Sequence, residues 1–167
     1  MKILIYPGHH DWMDAVIKAL THGKGSHFAF LRADNARVHE AFWPRVRTRP
    51  LTDFDRVNAE VYQIAGVTEE QHERFEALFD YDDRHHIEYS IADLFRYALN
   101  RPAKDERHTF CSRYGMHRLQ TVLPQSLWPL VRLPDRDWAS PRDFRISPAL
   151  VHLKGFFRAH DPHAIFD

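Results

Sequence analysis

A single cysteine, Cys111, stands in a chain of 167 residues that carries 13 histidines. Residues Cys111 to Leu123 read as a helix stopped by Pro124, with Thr109 as its cap. The thiol therefore falls at a helix amino terminus, where the dipole and the N–H groups of the first turn favour a thiolate. The same position also suits a core residue, because free cysteine is among the most buried side chains. A base and a group to orient it would separate the two readings.

Both are found in one predicted hairpin. Ser26 to Leu31 and Arg37 to Phe42 are β-like runs around an Asp34-Asn35 turn. Along such strands His27, Ala29 and Leu31 share a face, as do Val38, Glu40 and Phe42. A two-residue loop, Asp34-Asn35, sets His27 diagonal to Glu40; a four-residue loop, Arg32 to Asn35, sets them directly opposite. In either register the imidazole and the carboxylate lie on the same face. A carboxylate so placed can orient a histidine, fix its tautomer and support the imidazolium formed when it takes a proton from a thiol.

The remaining elements must carry this pair. Lys2 to Tyr6 reads as a buried strand closed by Pro7-Gly8, and Asp11 caps a helix with Trp12, Ala15, Val16, Ala19 and Leu20 at helical spacing, ended by Gly23 and Gly25. Pro44 and Pro50 bracket a basic stretch in which Arg45, Arg47 and Arg49 alternate; they could meet a carboxylate or phosphate on a substrate, but such alternation is more often that of a solvated strand face. Glu60 to Ala65 is a further strand. Thr68 to Gln71 has the capping-box pattern ahead of Phe75, Leu78 and Phe79, and Ser90 caps a helix with Ile91, Leu94, Phe95 and Ala98 inward. Trp128 to Leu133 reads as a short strand and the segment from Ser140 to Leu150 as turn-rich. Strands before and between helices, without strict alternation, predict an α+β fold with a mainly antiparallel sheet rather than a doubly wound parallel one.

Composition narrows the function classes. The length fits one domain spanning 1–167, and 44% hydrophobic residues suffice for a core. Lys plus Arg equals Asp plus Glu at 23 each, so no global field draws nucleic acid or an anionic membrane. One cysteine allows no intrachain disulfide. The first apolar run is too short for a signal-peptide core or an integral membrane segment, so the expected location is cytoplasmic.

The motifs resemble, in order along most of the chain, the circularly permuted papain-fold proteins of the NlpC/P60 superfamily, the group with YiiX-like proteins that is related to lecithin retinol acyltransferase. ALTHGKGSHFAFL (Ala19 to Leu31) looks like that family's Thr-x-x-x-x-Ser-His approach to a strand, and VHEAF like its Glu-Ala strand. RVRTRPL, EYSIADL, FCS at Phe110 to Ser112 and the late SPRDF continue the series. The resemblance implies a papain-like α+β domain with Cys111 as nucleophile, His27 as base and Glu40 as the polar third member. It further implies that Tyr89, in EYSIADL, lies near the nucleophile, where its hydroxyl could donate to an oxyanion; a tyrosine that merely leads into the next helix looks the same in sequence. The chain departs from the family at Gly8-His9, where Gly-Asp is common, and at Arg113, where an acidic residue follows Cys-Ser.

The expected activity is hydrolysis or acyl transfer on an amide, peptidoglycan peptide included, or an ester, through a thioester on Cys111 and with no cofactor. Two other readings stay open. Arg113 suits a catalytically silent binding or structural module on the same fold. His9, His10 and Asp11, or His85 and His86, could form a metal site, although adjacent histidines of a strand point to opposite faces and neither cluster has clear ligand spacing.

Overall fold

A computed structural model describes residues 1–6, 15, 17–19, 27–99, 101, 108–128 and 140–159. Eight strands form one sheet: β1 (Lys2–Tyr6), β2 (His27–Leu31), β3 (Arg37–Phe42), β4 (Arg45–Pro50), β5 (Glu60–Ile64), β6 (Glu88–Tyr89), β7 (His108–Thr109) and β8 (Leu150–His152). Their order across the sheet is β7-β6-β4-β3-β2-β1-β5-β8. Every pair from β6 to β8 is antiparallel, and β7 joins the edge parallel to β6. The expected α+β architecture with a mainly antiparallel sheet is therefore observed.

The hairpin turn chooses between the two registers. Asp34 accepts the N–H groups of Ala36 and Arg37 on Oδ1, and Asn35 takes a positive φ of 53°, a conformation its short polar side chain tolerates. The Arg32 N–H then donates to the Arg37 carbonyl, and Ala29 pairs with Glu40. This is the diagonal register.

Alternation along β1 and β2 buries both faces of the sheet. Ile3, Ile5, Phe28 and Phe30 belong to the larger core, Leu4, Tyr6, Ala29 and Leu31 to a second one. Over the larger core lie α2 (Glu69–His85), with Phe75 and Phe79, and α4 (Cys111–Val122), with Tyr114, Met116 and Leu119. The second core is closed by Phe156 and Phe157 at the start of α6 (Phe156–Ala159), with Leu51 and Ala59 flanking α1 (Asp53–Asn58). Each buried phenylalanine is worth about 2–3 kcal/mol of transfer free energy.

Local signals set the helix starts. Thr68 and Gln71 close the expected capping box on α2, and Ser90 accepts from the Asp93 N–H at the start of α3 (Ile91–Ala98). The structure corrects other expectations. Phe95 is exposed, and Asp93 occupies the buried side of α3 beside Leu94. The late segment expected to be turn-rich contains α5 (Pro141–Arg145), opened by a Ser140–Asp143 capping box with Pro141 in the first turn, and then β8. Of the helix predicted after Asp11, Ala15 and Ile17 to Ala19 are helical; the rest of it, and the strand predicted after Trp128, lie outside the described residues.

One contact seats α4 on the sheet. An ideal Cβ on Gly115 would stand 2.3 Å from Phe28 Cε1, and the Phe28 ring is hemmed in by Phe30 and Phe144, with centroids at 5.1 and 4.5 Å. Glycine is required there for close approach rather than for φ. Gly115→Ala should cost about 2 kcal/mol by overpacking, read as a lower urea midpoint, and Phe28→Leu in the same chain should recover part of it. An unchanged midpoint would show that the helix is not seated through this contact.

Candidate functional site

His27 opens β2 and Glu40 lies near the end of β3, diagonal to each other on the face of the second core. The His27 Nε2–H donates to Glu40 Oε2 at 2.9 Å, with only 7% of His27 and 1% of Glu40 exposed. Burial works against the imidazolium, but hydrogen bonds with the Cys111 thiol and with Glu40, and their charges, hold the His27 pKa up at about 10. Burial likewise opposes ionisation of Glu40, and the hydrogen bonds and charges of His27 and Arg49 override it, bringing the carboxyl to about 2. The pair is therefore ionic at neutral pH. Since Nε2 is engaged by Glu40, the other ring nitrogen is left for the sulfur.

Cys111 reaches this imidazole from the opposite layer. Its helix α4 packs on the Phe28 and Phe30 face, whereas His27 projects to the other one. The two meet because each is the first residue of its element, at one end of the sheet. Thr109, expected to cap this helix, does not: Phe110 is the N-cap residue, no side chain caps the first turn, and the Thr109 hydroxyl donates to the Phe110 carbonyl at 3.4 Å. Thr109 is instead committed to the sheet as the last residue of β7. Cys111 is 2% exposed.

The support behind Glu40 is not legible in the sequence. Arg49, expected on a solvated face, donates from Nε to Glu40 Oε1 at 2.7 Å and from Nη2 to Oε2 at 3.3 Å. Its other edge donates to both oxygens of Asp55, at 2.6 and 2.9 Å. Asp55 is also the acceptor of the Thr52 capping box that starts α1. The buried hydroxyl of Tyr6, whose ring stands 5.7 Å from that of His27, faces the Asp55 and Glu40 charges, and burial with those charges pushes its pKa well up. The one sequence signal is Thr52-x-x-Asp55, a capping pattern ahead of a helix only six residues long.

Tyr89 is buried in the same core as Phe110 and Cys111; it pairs with Thr109 across β6 and β7, and the next residue, Ser90, donates its N–H to the Thr109 carbonyl at 2.7 Å. The backbone thus sets Tyr89 alongside the approach to Cys111. Arg113 is buried in the first turn of α4. His85 and His86 do not form a donor cluster: His85 Nδ1 bonds the Tyr81 carbonyl and its ring stacks on Tyr81, while His86 Nδ1 accepts from Arg45. His9, His10 and Asp11 lie outside the described residues. Among the described residues no group of three or more His, Cys, Asp or Glu side chains is arranged to hold a metal ion.

A second polar network crosses the larger core. His39 is fully buried between Thr48 Oγ1 at 2.8 Å and the Tyr114 hydroxyl at 2.7 Å, and that hydroxyl donates to Asp82, which Arg118 grips with two further bonds. Burial, only partly offset by Asp83, lowers the His39 pKa to about 4. This histidine is held neutral.

The fold matches the crystal structure of a protein described as metalloprotein YiiX from Escherichia coli O157:H7, DUF1105, with a TM-score of 0.64 and 17% identity, over 91% of this chain and 94% of that one. No protein-family model and no curated protein sequence matches the chain. Among the described residues no helix is long and apolar enough to cross a membrane.

Two stability tests follow from this charge arrangement. Because the folded pKa of His27 is raised, its contribution is complete below pH 6.5 and is lost as pH rises towards about 10. The urea midpoint should fall across that window, and His27→Gln should flatten the fall. The lowered pKa of His39 acts in the other direction: its neutral form is fully stabilising above pH 6.5, and stability is lost as pH drops towards about 4. A stability profile with the same alkaline limb in His27→Gln as in the parent would refute the ion pair. Separately, Asp55→Ala should cost about 2–3 kcal/mol by leaving Arg49 half-paired and α1 without its capping box, and Asp55→Asn, which can still accept for the cap, should cost less.

Proposed function

We propose that the chain is a thiol-dependent hydrolase or acyltransferase of the permuted papain-like, NlpC/P60 kind, acting on an amide or ester with Cys111 as nucleophile, His27 as base and Glu40 as the orienting carboxylate. One observation carries the reading: a buried imidazole that bonds both Glu40, through Nε2, and the Cys111 thiol. The chain order, histidine before cysteine, and the YiiX-like fold are in keeping with it.

In this mechanism the Cys111 proton rests on His27, and the sulfur attacks the substrate carbonyl to form an S–C bond. Collapse of the tetrahedral intermediate breaks the bond to the leaving nitrogen or oxygen, which takes the proton from His27. Water or another acceptor then attacks the thioester, gives its proton to His27, and returns the thiol. Glu40 holds the ring and stays ionised, a role its low pKa suits. The backbone N–H of Cys111 and the Tyr89 hydroxyl are the donors assigned to the oxyanion.

The fold neighbour is described as a metalloprotein, and a metal is not carried over to this site. Among the described residues no group of three or more His, Cys, Asp or Glu side chains is arranged to hold a metal ion, and both oxygens of Glu40 are engaged by Arg49, one of them also by His27. A second reading, a binding module that keeps the fold without the chemistry, is favoured by the low exposure of Cys111 and by Arg113 in the first turn of α4.

Substitution separates these readings. Exposing the native protein to cell-wall peptides, amides and lipid esters should yield an acyl adduct on Cys111 by mass spectrometry. Cys111→Ser should abolish turnover of whichever compound acylates the thiol, since a hydroxyl is far less acidic. Glu40→Gln should retain part of the activity, its amide oxygen still accepting from Nε2, and should lose less than His27→Ala. Full activity in Cys111→Ser would remove the thiol mechanism, and the absence of any adduct would return the chain to the binding-module reading.

A further inference from the structure

Strand β4 alternates three arginines on one face, and two of them have close hydrogen-bond partners, Arg45 at the surface and Arg49 beneath it. Arg45 donates from Nη1 to His86 at 2.7 Å, and Arg49 is locked between Glu40 and Asp55. Arg47 differs. The register sets it directly opposite Glu40, yet its Nε stops 3.9 Å from Glu40 Oε1, an oxygen that Arg49 already occupies at 2.7 Å. Among the described residues that Nε has no hydrogen-bond partner.

The Arg47 guanidinium is nevertheless held in place. Its Cζ lies 5.2 Å from the centroid of Phe42, and Phe42 meets the His27 ring edge-on at 5.5 Å. The side chain is 40% exposed. An aromatic shelf thus holds a half-exposed guanidinium one ring away from the candidate base; its Nε is buried without a partner, so a ligand would be met by the outer Nη edge. A half-exposed arginine whose ion pair is stretched to 3.9 Å and whose buried Nε is unbonded adds little to stability, so this placement calls for a role outside the fold.

We propose that Arg47 receives a carboxylate of the substrate, so that the site prefers amides or esters bearing a carboxylate close to the scissile carbonyl; this rests on the thiol reading above. A planar guanidinium fork matches a carboxylate in two parallel hydrogen bonds. A phosphate would draw a second cation, and both neighbours on the strand, Arg45 and Arg49, are already committed. The Phe42 face restrains the fork at little entropic cost.

Two alkylating agents of equal size test this without a known substrate. Second-order rates of Cys111 modification by iodoacetate, which carries a carboxylate, and by neutral iodoacetamide are measured by mass spectrometry on native protein. The ratio of the two rates should fall roughly threefold to tenfold in Arg47→Gln and be partly retained in Arg47→Lys, as expected for one screened charge near the sulfur. The iodoacetamide rate, which reports any effect on the thiol itself, should change less than the iodoacetate rate. An unaltered ratio in folded Arg47→Gln overturns the proposal. His27→Ala reports on the thiol reading separately: if it leaves the iodoacetamide rate at its parent value, the dyad falls while the ratio still judges Arg47. A thiol inert to both reagents overturns both, because no carboxylate-bearing substrate could then reach the sulfur.

Discussion

Everything near Cys111 depends on keeping two ions, the His27 imidazolium and the Glu40 carboxylate, out of water. Desolvating such a pair costs several kcal/mol per ion, and attraction between them repays this only when the remaining lone pairs and protons are also satisfied. Glu40 meets that condition through Arg49, and Arg49 meets it through Asp55. Charges alternate in sign along the row, so each member is neutralised by the next. The consequence reaches into secondary structure: α1 is two turns at most, too short to be stable alone, yet it supplies Asp55 and thereby the far end of the row.

Strand alternation creates a second demand. Consecutive residues of β2 point to different cores, so the residue that can touch Glu40 cannot also lie under α4. Helix α4 solves this with its end rather than its side. Gly115 lets it settle against Phe28, and Cys111, the first residue of the helix, stands level with the start of β2. A one-residue slip of β2 would send His27 into the place of Phe28 and break the arrangement at both ends.

The legible parts of this fold are those with local causes. The Asp34-Asn35 turn, the alternation along β2 and β3, and the Thr68 capping box each depend on a few adjacent residues, so the shared face of His27 and Glu40 can be read from residue order alone. The register cannot, because two loop lengths fit the same residues, and only the hydrogen bonds of Asp34 and Arg32 choose between them. Arg49 looks solvated in the sequence because its partners are a diagonal neighbour on another strand and a residue in a helix too short to show periodicity. Thr109 fails as a cap for a tertiary reason: β6 draws it into a parallel pair. Phe95 departs from its expected inward face because α3 is barely two turns long, so its rotation about its own axis is set by the Ser90 cap and by neighbours rather than by its apolar stripe.

His27 and His39 show what decides protonation in this sheet. Both are buried, and in both burial acts against the imidazolium, yet one is held charged and the other neutral. Depth therefore does not decide the outcome. His27 meets an ionised carboxylate at hydrogen-bonding distance, whereas the nearest carboxylate to His39 is Asp83 at 3.8 Å, and two cations, Arg32 and Arg118, oppose its charge. His39 immediately precedes Glu40, so the chain places a neutral histidine and an ionised carboxylate at consecutive positions, and the Glu40 charge, which favours the imidazolium of His39, is outweighed by burial and by Arg32 and Arg118. The pleat makes this possible by sending them to opposite faces, each with its own set of partners. The thin, two-sided sheet thus separates two sets of hydrogen-bond partners: the Tyr114–Asp82–Arg118 network anchors α4 to α2 on one side, while the other side is left to the row of charges that begins at His27.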